Sequence, residues 1–165
     1  MVFFMNKVLN ALTLCLAIVI CASALFACGG GTDKDKEYIF YAKQTEMKIG
    51  DSADIVELLG TPMDVKESES CGGIAGTDRN YLFSGFRVYT TPSQSGDVVC
   101  KIELVDDSIK TPEGLKIGDT RDAVTAALGS PNTASDIALT YNGKGMTLKF
   151  ILRDGVVTNI QYAAI

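Results

Sequence analysis

The sequence predicts an α+β fold made by tandem duplication: a helix packed on a three- to four-stranded antiparallel meander, then the same unit again. Three observations predict it. Lys48-Ile49-Gly50-Asp51-Ser52 recurs as Lys116-Ile117-Gly118-Asp119-Thr120. Each copy then runs through an apolar segment to a Gly-x-Pro stop, Gly60-Thr61-Pro62 and Gly129-Ser130-Pro131. Farther on, the stretch from Val98 to Leu104 aligns with that from Val156 to Tyr162, and Tyr81 with Gly85 aligns with Tyr141 with Gly145. Self-similarity of this kind marks a repeated supersecondary unit.

From the N-terminus, the 165-residue chain divides into three parts. Residues 1–27 read as a signal peptide: Lys7 supplies the positive region, and an uncharged, mostly apolar run follows from Val8 to Ala27. Leu25-Phe26-Ala27-Cys28 resembles the lipobox of bacterial lipoproteins, with an aliphatic residue three before the cysteine and a small one just before it. Phe26 is bulkier than the usual occupant of its position. Cys15 follows Leu14 and Cys21 follows Ile20, so neither has the small neighbour that processing requires. The resemblance implies that the Cys28 thiol becomes a thioether to a diacylglyceryl group. Two acyl chains make a stable anchor, where one binds a membrane only marginally. A membrane span more often ends in an aromatic or basic anchor, whereas this run ends at Cys28 before Gly29-Gly30-Gly31. The expected location is therefore the cell membrane, lipid-anchored on its extracytoplasmic face. Losing Lys7 moves the formal charge from −5 to −6. An acidic chain with no basic cluster argues against nucleic acid as a partner.

Residues 28–37 are Gly-rich and then charged, with nothing to bury, and read as a lipidated flexible tether. Residues 38–165 form the expected globular domain, with repeats at 38–109 and 110–165. Tyr38 to Ala42 reads as a strand ahead of the first helix. Asp51 and Asp119 read as helix N-caps, because a short carboxylate accepts from the free amides of the first turn. Asp54 and Asp122 then meet the positive end of the helix dipole. Ile55, Val56, Leu58 and Leu59 supply the buried side in the first copy, and Ala123, Val124, Ala127 and Leu128 in the second. Gly60 and Gly129 suit the positive-φ position that ends a helix, and the prolines prevent continuation.

Alternation and turn residues predict strands at 81–83, 86–89, 98–105, 138–141, 146–152 and 156–163. The first copy is longer by about ten residues, mostly between Met63 and Asn80. Gly-Asp-Ser/Thr, a valine four residues on (Val56 and Val124), then Leu-Gly-x-Pro and a meander resemble the repeat of SmpA/OmlA-type lipoproteins and the related beta-lactamase-inhibitory-protein fold. That resemblance covers roughly three quarters of the chain as a pattern and implies helix-plus-sheet units packed side by side. The overall look is closest to uncharacterised two-repeat lipoproteins of Gram-positive bacteria.

The chain has no histidine, which removes histidine-based triads and most zinc sites. No Gly-rich loop ends in Lys-Ser/Thr, so nucleotide binding has no support. The pairs Asp51/Asp54 and Asp119/Asp122 recur at the same place in both copies, which favours capping over catalysis or calcium. No catalytic residue, metal ligand or cofactor is expected. Cys71 and Cys100 are a candidate disulfide, since both remain after processing of an exported chain. Against it, Cys100 alternates in phase with Val98, Ile102 and Leu104, and its counterpart is Thr158. The excursion from Ser68 to Asn80 is the candidate binding loop, with Asp78, Arg79 and Tyr81 as its contact set. Tyr89 and Phe150 are candidates for a sheet-face binding surface, weighed against the core role usual for strand aromatics.

These readings lead to a non-catalytic, membrane-tethered module that binds an envelope protein or serves envelope assembly. The alternative is a receptor for a small ligand or wall polymer, held between two sheets. An enzyme working by carboxylates alone would need two facing acids about 5–10 Å apart.

Overall fold

The computed structural model describes residues 35–71 and 73–165. The signal segment, Cys28 and all but the last three residues of the tether lie outside the described residues. Those last residues are engaged: the Lys36 carbonyl accepts from the Lys144 amide at 3.0 Å, and Glu37 pairs with Lys48 at 3.4 Å. Gly143 makes room for this approach, because a Cβ there would collide with the Lys36 carbonyl.

A two-stranded hairpin opens the described chain, β1 (Phe40–Ala42) and β2 (Thr45–Met47). Its turn residues Lys43 and Gln44 both take positive φ, the geometry of the tight turns that match strand twist. Eight further strands follow: β3 (Asp64–Glu69), β4 (Thr77–Phe83), β5 (Phe86–Ser93), β6 (Gly96–Leu104), β7 (Thr133–Ser135), β8 (Ala138–Gly143), β9 (Met146–Arg153) and β10 (Val156–Ala164). All eight join one antiparallel sheet in the order β3-β4-β5-β6-β10-β9-β8-β7.

The expected α+β duplication of helix-on-meander units is therefore corrected. The fold is mostly β and consists of one continuous sheet, because β6 and β10 pair edge to edge. The helical contribution is small: a seven-residue 3-10 helix, Ala53–Leu59, and an eight-residue α-helix, Arg121–Leu128. Two turns of helix cannot form a layer over an eight-stranded sheet. Adjacent β-branched Ile55 and Val56 disfavour a regular α-helix in the first segment, whereas three alanines support one in the second.

Sequence similarity survives as repeated backbone detail. In both copies the aspartate after Ile-Gly closes its own turn: Lys48 N donates to Asp51 Oδ2 at 2.7 Å, and Lys116 N to Asp119 Oδ2 at 2.8 Å. The N-caps are thus not Asp51 and Asp119 but the hydroxyls one residue later. Ser52 accepts from Asp54 N and Thr120 from Ala123 N. The same turns attach to the sheet alike, with Gly50 N bonded to the Val99 carbonyl and Gly118 N to the Val157 carbonyl.

A local two-fold relation runs through the seam. Gln161 pairs with its own repeat counterpart Glu103, flanked by Ile160↔Leu104 and Tyr162↔Ile102. The core lies on one side of the sheet, where Phe86, Ile102, Leu148, Phe150 and Tyr162 are buried beneath the hairpin, the helical segments and the linker. Phe40 of the hairpin packs on Phe86 at 5.1 Å and on Tyr162 at 5.8 Å between ring centroids. From the 3-10 helix Val56 and Leu59 enter this core, and from the α-helix Val124. Leu58, expected inside, stays exposed.

Candidate functional site

Alternation along each strand sends every second side chain to the other side of the sheet, where no element covers it among the described residues. Cross-strand pairing arranges these side chains in rows. One runs Leu82, Arg87, Glu103, Gln161, Lys149, Thr140 from β4 to β8. Its neighbour runs Asn80, Tyr89, Lys101, Ala163, Thr147, Asn142.

Glu103 is the hub of this face, with its side chain only 15% exposed. Tyr89 Oη donates to its Oε2 at 2.7 Å; Asn159 Nδ2 and Gln161 Nε2 donate to its Oε1 at 3.0 and 3.2 Å. Lys101 Nζ lies 4.0 Å from the carboxylate and 3.7 Å from the centroid of the Tyr89 ring. Burial by itself would raise the Glu103 pKa, but the hydrogen bond from Tyr89, the Lys101 charge and the two amides together hold it below the ordinary carboxylate value. The site therefore keeps a fixed, fully engaged anion at its centre.

Around it the polar groups are less complete. Asn80 Oδ1 and Arg87 Nε are buried without a hydrogen-bond partner among the described residues. The face carries Lys66, Arg87, Lys101, Lys149 and Arg153 against Asp64, Asp78 and Glu103, a local excess of positive charge on a chain of net −5. Beside Tyr89 lies an open depression of about 340 Å³, lined by Lys66, Asp78, Asn80, Tyr89 and Cys100 among others.

Cys100 reaches this depression because of a β-bulge. The β5–β6 register steps from Tyr89↔Lys101 to Thr90↔Val99 and leaves Cys100 unpaired. The second half does the same at the counterpart residue: the β9–β10 register steps over Thr158. Cys100 thus leaves the core-facing phase that alternation predicted. Burial raises its thiol pKa, and the charge of Asp78 raises it further. It is half-buried, with Sγ on the Tyr89 carbonyl at 3.4 Å.

Cys71 lies on the β3–β4 connection, exposed. Between the Cys100 position and β3 stand three strand spacings, about 14 Å, and Cys71 lies beyond the end of β3 at Glu69. A disulfide tolerates Cα atoms no more than about 7 Å apart, and both thiols are free.

The predicted binding loop is corrected in form. Asp64 to Glu69 and Thr77 to Phe83 pair as a long edge hairpin, so the connection shrinks to residues 70–76. Asp78, Arg79 and Tyr81 stand on β4 and alternate between faces. Asp78 accepts from Thr91 Oγ1 at 2.7 Å on the open side. Arg79 is held by Glu67 at 2.9 Å and Asp97 at 2.8 Å on the other, and Tyr81 packs against the core there. Hydrogen bonding to Glu67 raises the Arg79 pKa. Of the two aromatics weighed for a sheet-face surface, Tyr89 lies on it and Phe150 is fully buried.

Sequence reasoning passed over Glu103, Gln161, Asn159 and Arg87. A signal was present: the repeat alignment places Glu103 and Gln161 at one position, each a polar residue between two core residues. No protein-family model, curated protein or solved structure matches this chain.

Proposed function

We propose that the protein is a lipid-anchored extracytoplasmic module, tethered to the membrane through Cys28, that binds an envelope protein on the open face of its sheet without catalysis. The observation that carries this reading is the uncovered face itself. Seven strand spacings of about 4.8 Å and central strands of about 26 Å give, after tapering to the short edge β7, roughly 800 Å². That is about the area one partner contributes to a stable protein interface. Charge-bearing and aromatic side chains populate it, with Lys101 stacked on the Tyr89 ring beside Glu103.

A small-ligand receptor built on a groove between two sheets finds less support, since the seam is a hydrogen-bonded ladder. Two measurements test the proposal in the native host. Metabolic labelling with an alkyne fatty acid should mark the chain and be lost in Cys28→Ala. A photo-crosslinking residue at Thr147 or Lys149 should give a discrete protein adduct, absent when the same residue is placed at the exposed Asp107. Adducts that are no more specific at the open face than at Asp107 would reject it.

A further inference from the structure

The two halves of the sheet treat the cleft beside their helical segment differently. In the second half side chains bridge it, although an open depression of about 640 Å³ lies beside Arg121, Asp136 and Gly155. Arg121, first residue of the α-helix, extends its guanidinium to the Ser135 and Asp136 carbonyls, and Tyr141 Oη donates to the Gly129 carbonyl at 3.1 Å. In the first half the counterpart of Arg121 is Ala53, which has no arm to extend. Tyr81, counterpart of Tyr141, makes no matching bond to Gly60. A recess of about 490 Å³ is left between the 3-10 helix and the ends of β4 and β6, within the range of sites that hold a side chain or small ligand.

The chemistry of the recess selects its occupant. Val56, Pro62 and Tyr81 give it apolar wall, while Asp54, Glu57 and Asp97 line it with carboxylates. The cation within it, Arg79, is already shared between Glu67 and Asp97. Lys43, near Gly60, is turned onto the Leu59 carbonyl at 2.7 Å. Net negative charge therefore remains. Close by in sequence and pairing stand three exposed apolar side chains, Leu58 (70% exposed), Met63 (72%) and Val65 (43%), the last paired across from Tyr81. Exposed apolar groups gathered beside unbalanced charge are a recognition feature rather than a solvated surface.

We infer that this recess receives an extended segment of a partner protein presenting an arginine beside an apolar residue. The arginine does for the first half what Arg121 does for the second, and the apolar residue covers Leu58, Met63 and Val65. A planar guanidinium suits carboxylates and a phenol ring together better than an ammonium does. This surface is distinct from the open face.

The test is fluorescence anisotropy on the full chain with a labelled peptide of alternating arginine and leucine, set against the same peptide with glutamate for arginine. The arginine peptide should bind and the glutamate peptide should not. Ala53→Arg, which supplies the missing arm, should weaken binding at least tenfold, and the double change Asp54→Asn with Glu57→Gln severalfold. Neutralising Asp122 and Asp136 in the second half should leave binding unchanged, as should Lys149→Ala on the open face. Circular dichroism checks that Ala53→Arg is folded; if it is not, the Asp54/Glu57 variant decides. Equal binding of both peptides, or equal loss from neutralising either half, would overturn the inference while leaving the open-face crosslinks unaffected.

Discussion

The first and second halves share backbone detail and differ in how deeply and by what means each is closed. Both carry the Asp-closed turn, the hydroxyl cap, the positive-φ glycine and the bulge. Yet the first half inserts Leu59 fully into the core from a 3-10 helix, while Leu128 of the second is only partly buried. The second half compensates with polar closure from Arg121 and Tyr141. The difference teaches that the repeated motif specifies how chain meets sheet, whereas a few unrepeated side chains decide how each helical segment is tied to it.

The largest expected effect tests the apolar side of this contrast. Leu59→Ala removes a fully buried side chain and should cost about 2–5 kcal/mol, whereas Leu128→Ala should cost about 1 kcal/mol. Urea unfolding midpoints at constant slope read the difference directly. Equal losses would mean that the two helical segments are seated alike.

A second prediction breaks the symmetry at the seam. Gln161→Glu sets two carboxylates opposite one another in a half-buried cross-strand pair and should destabilise the chain by about 1–3 kcal/mol at neutral pH. The pH dependence gives the sign. In the native chain Glu103 has a lowered pKa, so its contribution is present above the ordinary carboxylate value and is lost as pH falls through the folded value. In Gln161→Glu one carboxyl has its pKa raised by the other, so the penalty should shrink on acidification. Thermal melts between neutral pH and about pH 4 separate the two behaviours. Glu103→Gln should flatten the native acid response.

How far the sequence revealed this depends on what each residue needed. Strands with a buried face were legible, because alternation such as Met146-Thr-Leu-Lys-Phe records which side is covered. The edge strand β3 was not, since all six of its residues are exposed and no apolar period is required there. Its charges suit an edge that must not pair with another copy, and they read as loop. The merging of two meanders into one sheet depends on β6 meeting β10, a contact between residues 56 to 62 positions apart that no local pattern encodes. Asp51 was assigned to the helix, though the carboxylate serves the turn before it; Ser52 beside it was the better cap. At the open face, Glu103 looked like an ordinary outward residue until its symmetry partner was placed against it.

Tyr141→Phe sharpens the polar side of the comparison. It deletes one hydrogen bond to the Gly129 carbonyl and should cost about 1 kcal/mol. Tyr81→Phe removes a hydroxyl with no such bond and should stay within about 0.5 kcal/mol. If the two losses match, Tyr81 makes in solution a bond equivalent to that of Tyr141.

The smallest expected effect separates the bulge from plain alternation. Were Cys100 in the core-facing phase of Val99, Ile102 and Leu104, replacing it by threonine would bury a hydroxyl and cost about 1–3 kcal/mol. The register step places it instead beside Tyr89 and Asp78 on the open side, where its counterpart already is Thr158. Cys100→Thr should therefore change stability by no more than about 0.5 kcal/mol. Thiol titration supplies an independent reading: in the native chain Cys71 should react fast and Cys100 slowly, because burial keeps the Cys100 thiol protonated. A destabilised threonine variant together with an unreactive Cys100 would return this residue to the core and remove the bulge from the features the two halves share.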